Sequence, residues 1–162
     1  MRNICFIGLP YSGKSNLGKK LSLIKNRKFI ETDNILKERY GKINNIIKKK
    51  GVNKFLFLEN KCALSVNCNE SIISTGGSMI YNNEAMQHFK YKLNSDIIHL
   101  ELSLDEFKNR IKNLEKRGVV NPNNLNLEEL YYERINLCNF HSDIVIKSDN
   151  KLKTFDILKN YI

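Results

Sequence analysis

Gly8-Leu9-Pro10-Tyr11-Ser12-Gly13-Lys14-Ser15 constrains this chain more than any other stretch, because it carries two glycines with four residues between them, followed by Lys and a hydroxyl residue. Its surroundings fit a phosphate-binding loop. Asn3-Ile4-Cys5-Phe6-Ile7 reads as a short apolar strand, and Asn16 to Ile24 reads as a helix with Leu17, Leu21 and Ile24 on one face. Polyphosphate oxygens need several donors converging from one concave surface, and the backbone N–H groups of a Gly-rich turn at a helix N-terminus supply them. Lys14 would place a cation on the β- and γ-phosphates, and the Ser15 hydroxyl would take one position on Mg²⁺. A nucleoside triphosphate site follows as the premise for the rest of the chain.

At 162 residues the chain has the length of one domain, spanning 1–162, with room for a single sheet covered by helices on both faces. Twenty-seven Lys and Arg against seventeen Asp and Glu leave a net charge of +10. The basic residues are scattered, and Lys48-Lys49-Lys50, the one tight run, has no interleaved aromatics to stack bases, so nucleic acid is not the expected partner. A solvated basic surface that attracts ATP and an acidic substrate is expected instead. Cys5, Cys62, Cys68 and Cys138 lack C-x-x-C spacing and read as free thiols of a reducing compartment. With no charged-then-apolar leader and no apolar run near eighteen residues, a cytoplasmic protein that does not engage a membrane is expected.

Lys28 to Glu31 reads as a second strand, followed by a helix from Thr32-Asp33-Asn34. Ligands of open parallel sheets sit beyond the carboxyl ends of the strands, so Glu31 and Asp33 are candidates to hold Mg²⁺ through water and to take a proton from an attacking hydroxyl. Asp33 as a mere helix cap is the competing reading. Helical segments follow over Ile35 to Lys50, broken near Gly41, and over Asn53 to Asn67, where Phe55, Leu58 and Cys62 share a face. Glu59 among them reads as a solvent-facing carboxylate. Ser71 to Thr75 is a buried strand ending in Gly76-Gly77-Ser78, where ligand can approach the backbone or the chain simply turns. No acid ends that strand, which moves metal support toward Glu31 and Asp33. Asn83 to Leu93 reads as a helix, Asp96 to Leu102 as a strand, and Ser103 as the cap of a helix carrying Arg110. Glu115 to Asn124, with Arg117, Gly118 and Pro122, reads as a loop that either closes as a lid or stays solvated. Leu127 to Phe140 is a helix bearing Arg134, Asp143 to Lys147 a strand, and Lys151 to Ile162 a final helix. The alternation predicts an α/β fold with a parallel sheet of about five strands.

Taken in order, Gly8 to Ser15, Phe29-Ile-Glu-Thr-Asp33, Gly51-x-x-x-Phe55-x-x-x-Glu59, Thr75-Gly-Gly-Ser78, Arg110, Arg117 and Arg134 resemble the shikimate kinase family from end to end. The resemblance implies a P-loop kinase fold like that of nucleoside monophosphate kinases, with substrate-binding helices over about 33–68 and a lid over about 112–125. It implies transfer of the γ-phosphoryl of ATP, with Mg²⁺, to a ring hydroxyl of shikimate by a monomer. It further implies that Tyr11, Ser12, Gly13, Lys14, Ser15 and Asn16 hold the nucleotide, that Arg110 lies against adenine, and that Arg117 closes on the transferring group. By the same resemblance Ser15 binds Mg²⁺ directly and Glu31 through water. Asp33, Glu59, Gly76, Gly77 and Arg134 would form the acceptor site, with Asp33 polarising the hydroxyl and Arg134 pairing with the carboxylate. Lys14, Asp33 and Arg117 would be the catalytic set. The departures are Leu56 where the family has an arginine gripping the carboxylate, Glu31 for Asp, Ser78 for the third Gly, Asn16 for Thr, and Gly118-Val119-Val120 for Pro-Leu-Leu. With Leu56, carboxylate binding is expected to weaken ten- to a hundred-fold, about one charged hydrogen bond.

Overall fold

The computed structural model describes residues 1–111 and 119–162. Five strands, β1 (Asn3–Ile7), β2 (Phe29–Glu31), β3 (Ile72–Ser74), β4 (Ser95–Glu101) and β5 (Ile144–Lys147), form one parallel sheet in the order β2-β3-β1-β4-β5. Parallel neighbours need crossovers, and the helices supply them on both faces of the sheet. These are α1 (Lys14–Ile24), α2 (Thr32–Tyr40), α3 (Ile43–Leu64), α4 (Asn83–Gln87), α5 (Leu104–Arg110), α6 (Leu127–His141) and α7 (Lys151–Tyr161).

The central strand explains the order. All five residues of β1 are buried, as a strand covered on both faces requires. Cys5 and Ile7 point into a core shared with Ala63 of α3, Met86 of α4 and Cys138 of α6. Ile4 and Phe6 point to the opposite core, with Leu17 and Leu21 of α1 and Leu158 of α7. Burying each large apolar side chain contributes about 1.5 to 3 kcal/mol. Two smaller clusters complete the packing, one joining α2 and α3 around Leu36, Phe55 and Leu58, the other joining α5 and α6 around Phe107 and Tyr131.

The helices begin and end largely where local chemistry dictates. Ser103 Oγ accepts the Glu106 amide of α5 at 3.3 Å, and Asn126 and Glu129 form a reciprocal capping box at the start of α6. One expectation needs correction. Asn83 to Leu93 is not one α-helix: α4 ends at Gln87 and a π turn covers His88–Lys92. The break expected at Gly51 is present: two helical stretches, together spanning Ile43–Leu64, meet there at φ 79° and ψ 167°.

The strand order fixes the site. Because β3 lies between β1 and β2, the loop after β1 and the acids after β2 stand on either side of the Thr75-Gly76-Gly77 turn.

Candidate active site

The loop from Gly8 to Gly13 leaves β1 and delivers its end to the N-terminus of α1. Gly8, at φ 144°, passes so close to β4 that a Cβ there would lie 2.6 Å from the Leu100 carbonyl oxygen, which only glycine avoids. Lys14 is buried, and its Nζ donates to the carbonyls of Gly8 and Leu9, each at 2.8 Å, and to Ser12 Oγ at 3.3 Å. These three oxygens hold the ammonium against the loop. Burial lowers its pKa to about 8, with Cys138 and Asp33 opposing the shift. Ser15 Oγ lies 3.3 Å from Ser74 Oγ, so the carboxyl end of β3 presents a hydroxyl where an acid is absent.

A cavity of about 190 Å³ opens beside this loop. Pro10, Tyr11, Lys14 and Ser15 wall it on the phosphate side, and Asp33, Gly76, Gly77, Ser78 and Arg134 wall the other, with Ile43, Phe55, Val119 and Val120 as apolar cover. Asp33 is therefore not the cap of α2; that position falls to Glu31, and Asp33 stands in the first turn. Burial raises the Asp33 pKa, which Lys14 and Lys37 oppose and Glu31 reinforces. Glu31 does not wall this cavity, and its carboxylate accepts from Asn34 Nδ2 at 2.9 Å.

Arg134 reaches the cavity from α6 almost completely enclosed, at 1 % exposure. It donates to the Gly77 carbonyl at 3.2 Å and to the Val120 carbonyl, and its guanidinium carbon stands 5.5 Å from the Tyr81 ring centre. Among the described residues its Nε has no hydrogen-bond partner. An enclosed guanidinium with a spare N–H beside a cavity is suited to an incoming carboxylate. Among the described residues that wall the cavity, Lys14 and Arg134 are the two cations. Leu56 packs instead into the cluster between α2 and α3, and among the described residues no other cation lines the cavity in its place. Asn60 is turned away as well, donating to Glu84 at 2.8 Å.

Glu59 corrects the reading of a solvent-facing side chain. It is 2 % exposed, accepts from Ser78 Oγ at 2.7 Å and from Asn82 Nδ2 at 3.0 Å, and burial raises its pKa to about 8. It stands next to the cavity wall without lining the cavity itself, and a Cβ on Gly76 would come within 2.5 Å of Asp33 Oδ1 and 2.7 Å of Glu59 Oε1. A Cβ on Gly77 would meet Pro10 Cδ at 2.9 Å, so the turn also touches the phosphate loop. Ser78, Asn82 and Tyr81 were not singled out as partners by sequence reasoning, and nothing in a Ser-Met-Ile-Tyr-Asn turn marks them.

A second cavity, of about 440 Å³, lies on the far side of the loop, walled by Tyr11, Gly13, Lys14, Ser15, Asn16, Leu17, Arg110 and Lys151. Arg110 is held there by Glu106 at 2.6 Å and by the carbonyls of Tyr11 at 3.0 Å and Asp149 at 2.9 Å, with its planar group beside the open space. The structure thus brings Lys14, Ser15, Asp33, Gly76, Gly77 and Arg134 to one cavity and Asn16 and Arg110 to its neighbour, with Ser12 enclosed beneath the loop. Arg117, with residues 112–118 of the lid expected over about 112–125, lies outside the described residues; Val119 and Val120, just after them, line the first cavity.

The family model described as shikimate kinase matches residues 10–160. The shikimate kinase of Sulfurihydrogenibium sp. is 34 % identical over 153 residues, covering 93 % of this chain and 90 % of that protein. A solved shikimate kinase from Aquifex aeolicus superposes with a TM-score of 0.76 at 28 % identity, over 98 % of this chain and 95 % of that one. Another, from Acinetobacter baumannii in complex with shikimate, superposes at 0.83 and 20 % identity, over 99 % and 93 %. Among the described residues no helix is long and apolar enough to cross a membrane. With the matched model spanning nearly every residue and relatives above 30 % identity along almost the whole length, the chain belongs to the shikimate kinase family.

Proposed function

We propose that this protein transfers the γ-phosphoryl group of ATP to the 3-hydroxyl of shikimate, as a cytoplasmic monomer acting on small molecules. The observation that carries this reading is the shared cavity in which the phosphate loop, Asp33 and Arg134 face one another. ATP would lie across the loop with its base in the neighbouring cavity beside Arg110 and its terminal phosphate at Lys14. As phosphate arrives, the ammonium exchanges the Gly8 and Leu9 carbonyls for phosphoryl oxygens, and the added negative charge raises its pKa again.

The acceptor would enter from the other side, its carboxylate on Arg134 and its ring against Ile43, Phe55 and Val120. Asp33 then orients the hydroxyl. The hydroxyl oxygen forms the new bond to the γ-phosphorus, the bond to the β–γ bridging oxygen breaks, and the proton passes to the Asp33 carboxylate. Arg117, in the lid, is assigned to the charge on the transferring group. The oxygen donors at the site, Ser15 Oγ at the cavity mouth and the nearby carboxylates of Asp33 and Glu31, suit Mg²⁺, a hard cation that keeps several waters and binds through phosphates. When bound, it neutralises charge on the β- and γ-phosphates; Ser15 would hold it directly and Glu31 through water.

Leu56 favours a second reading, a kinase of another small hydroxy acid or polyol, because among the described residues Arg134 is the one arginine that lines the cavity. Acceptor-dependent ADP release measured with shikimate and with gluconate separates the two. Efficient turnover of shikimate is expected, and turnover of gluconate alone would replace this assignment. ATP binding with no acceptor-dependent ADP release would mark a catalytically weak nucleotide-binding protein.

A further inference from the structure

Glu59 is the one acidic side chain among the described residues that is fully enclosed, and no ion pair within 4 Å relieves it. A buried carboxyl group without a counterion is costly unless it is neutral and hydrogen-bonded. Two neutral donors hold it, Ser78 Oγ on one oxygen and Asn82 Nδ2 on the other. The charged groups facing it are Asp33 from α2, which raises its pKa, and Arg134 from α6, which lowers it; Cys62 lies one turn further along α3. With its pKa raised to about 8, the carboxyl carries its proton near neutral pH. In that form one oxygen accepts from Asn82, while the other shares its proton with Ser78, whose hydroxyl can donate or accept.

Glu59 also stands where it decides the position of the acceptor wall. A Cβ on Gly76 would clash with both Glu59 Oε1 and Asp33 Oδ1, so the turn packs closely on the two carboxyl groups, and the Gly76 amide donates to Thr32 Oγ1 at 3.1 Å. Ser78, which Glu59 holds, lines the cavity, and the Gly77 carbonyl between them accepts from Arg134. Displacing the turn therefore moves the surface opposite Asp33 and one anchor of the arginine.

We propose that Glu59 is a positioning residue, not an acceptor ligand: latched by Ser78 and Asn82 behind the wall, it holds Gly76-Gly77-Ser78 at the spacing from Asp33 and Arg134 that the acceptor requires. The proposal rests on the phosphoryl-transfer reading of the same cavity and deepens it. It separates two substitutions that a direct ligand would not. Gln reproduces a protonated carboxyl, accepting from Asn82 and donating to Ser78, whereas Ala removes both bonds.

The test compares E59Q, E59A and S78A in full-length protein, measuring KM for shikimate, KM for ATP and kcat, and amide hydrogen exchange at 76–78 without ligands. E59A is expected to raise the shikimate KM on the order of ten- to a hundred-fold and S78A about ten-fold, the scale of two and one lost hydrogen bonds. The ATP KM should hold, and E59Q should stay near wild type. Exchange at the turn should quicken in E59A and S78A and not in E59Q. The proposal is overturned if E59Q is as damaged as E59A, if E59A matches wild type, or if turn exchange is the same in all four proteins. Wild-type protein inactive on every acceptor would defeat the phosphoryl-transfer reading instead, and the exchange comparison would still decide whether Glu59 holds the turn.

Discussion

Lys14 and Arg134 are both cations enclosed in protein, and each is held by backbone carbonyls that a ligand anion can replace. Such carbonyls are weak partners for a full charge, so both groups are poised for phosphate and carboxylate respectively. Substituting Lys14 with Ala removes the cation at the transferring phosphate, and turnover should fall on the order of a hundred- to a thousand-fold. Asp33→Asn keeps the shape and removes the proton acceptor; kcat should fall about a hundred-fold or more while the ATP KM barely changes. Steady-state kinetics check both, and an Asp33→Asn enzyme at wild-type kcat would refute the assignment. Arg134→Lys keeps charge but loses the planar fork, so the shikimate KM should rise by about ten-fold or more, read in the same assay. Asp33 is legible because it follows the end of β2 by two residues, and Lys14 because it closes the glycine-spaced motif at the start of α1. Glu59 was misread although Phe55 one turn before it and Cys62 three residues after lie on the buried face; that spacing held the signal. Its donors Ser78 and Asn82 had none, because their contacts span 19 and 23 residues.

Among the elements, the Thr75-Gly76-Gly77 turn is the most constrained. A methyl group at Gly76 would strike two carboxyl oxygens, Asp33 Oδ1 and Glu59 Oε1, so Gly76→Ala must push Asp33 or the wall out of place. Its kcat should drop far more than its melting temperature, a comparison of kinetics with thermal unfolding. The capping box of α6 carries a separate expectation: Asn126→Ala should cost about 1 kcal/mol, seen in denaturant unfolding, by freeing the Glu129 amide. Helix and strand identities were readable from periodicity and caps. The break after Gln87 was not, since a π turn keeps the apolar spacing of a helix closely enough to hide in it.

For the whole molecule, the parallel sheet with helices on both faces followed from strand and helix alternation, but the order β2-β3-β1-β4-β5 rests on pairings between strands far apart in sequence. That order sets the site, because it places β3 and its glycine turn between the two halves of the chemistry. Buried titratable groups give the molecule a pH signature. Glu59 titrates near 4.5 when exposed and about 8 in the fold, so its contribution is complete below 4.5 and declines as pH climbs to 8. His99, lowered to about 4, works in the opposite direction between 4 and 6.5. The difference in unfolding free energy between E59Q and wild type isolates the first effect and should grow in favour of E59Q from pH 5 to 8. A flat difference would show that Glu59 is ionised throughout.

The most direct measurement is ADP release from ATP and Mg²⁺ with and without shikimate. Release that requires shikimate, yields shikimate 3-phosphate and disappears in Lys14→Ala is the expected result. Equal release with and without shikimate, or none from a protein that still binds ATP, would contradict the assignment of the cavity between Lys14 and Arg134 to phosphoryl transfer.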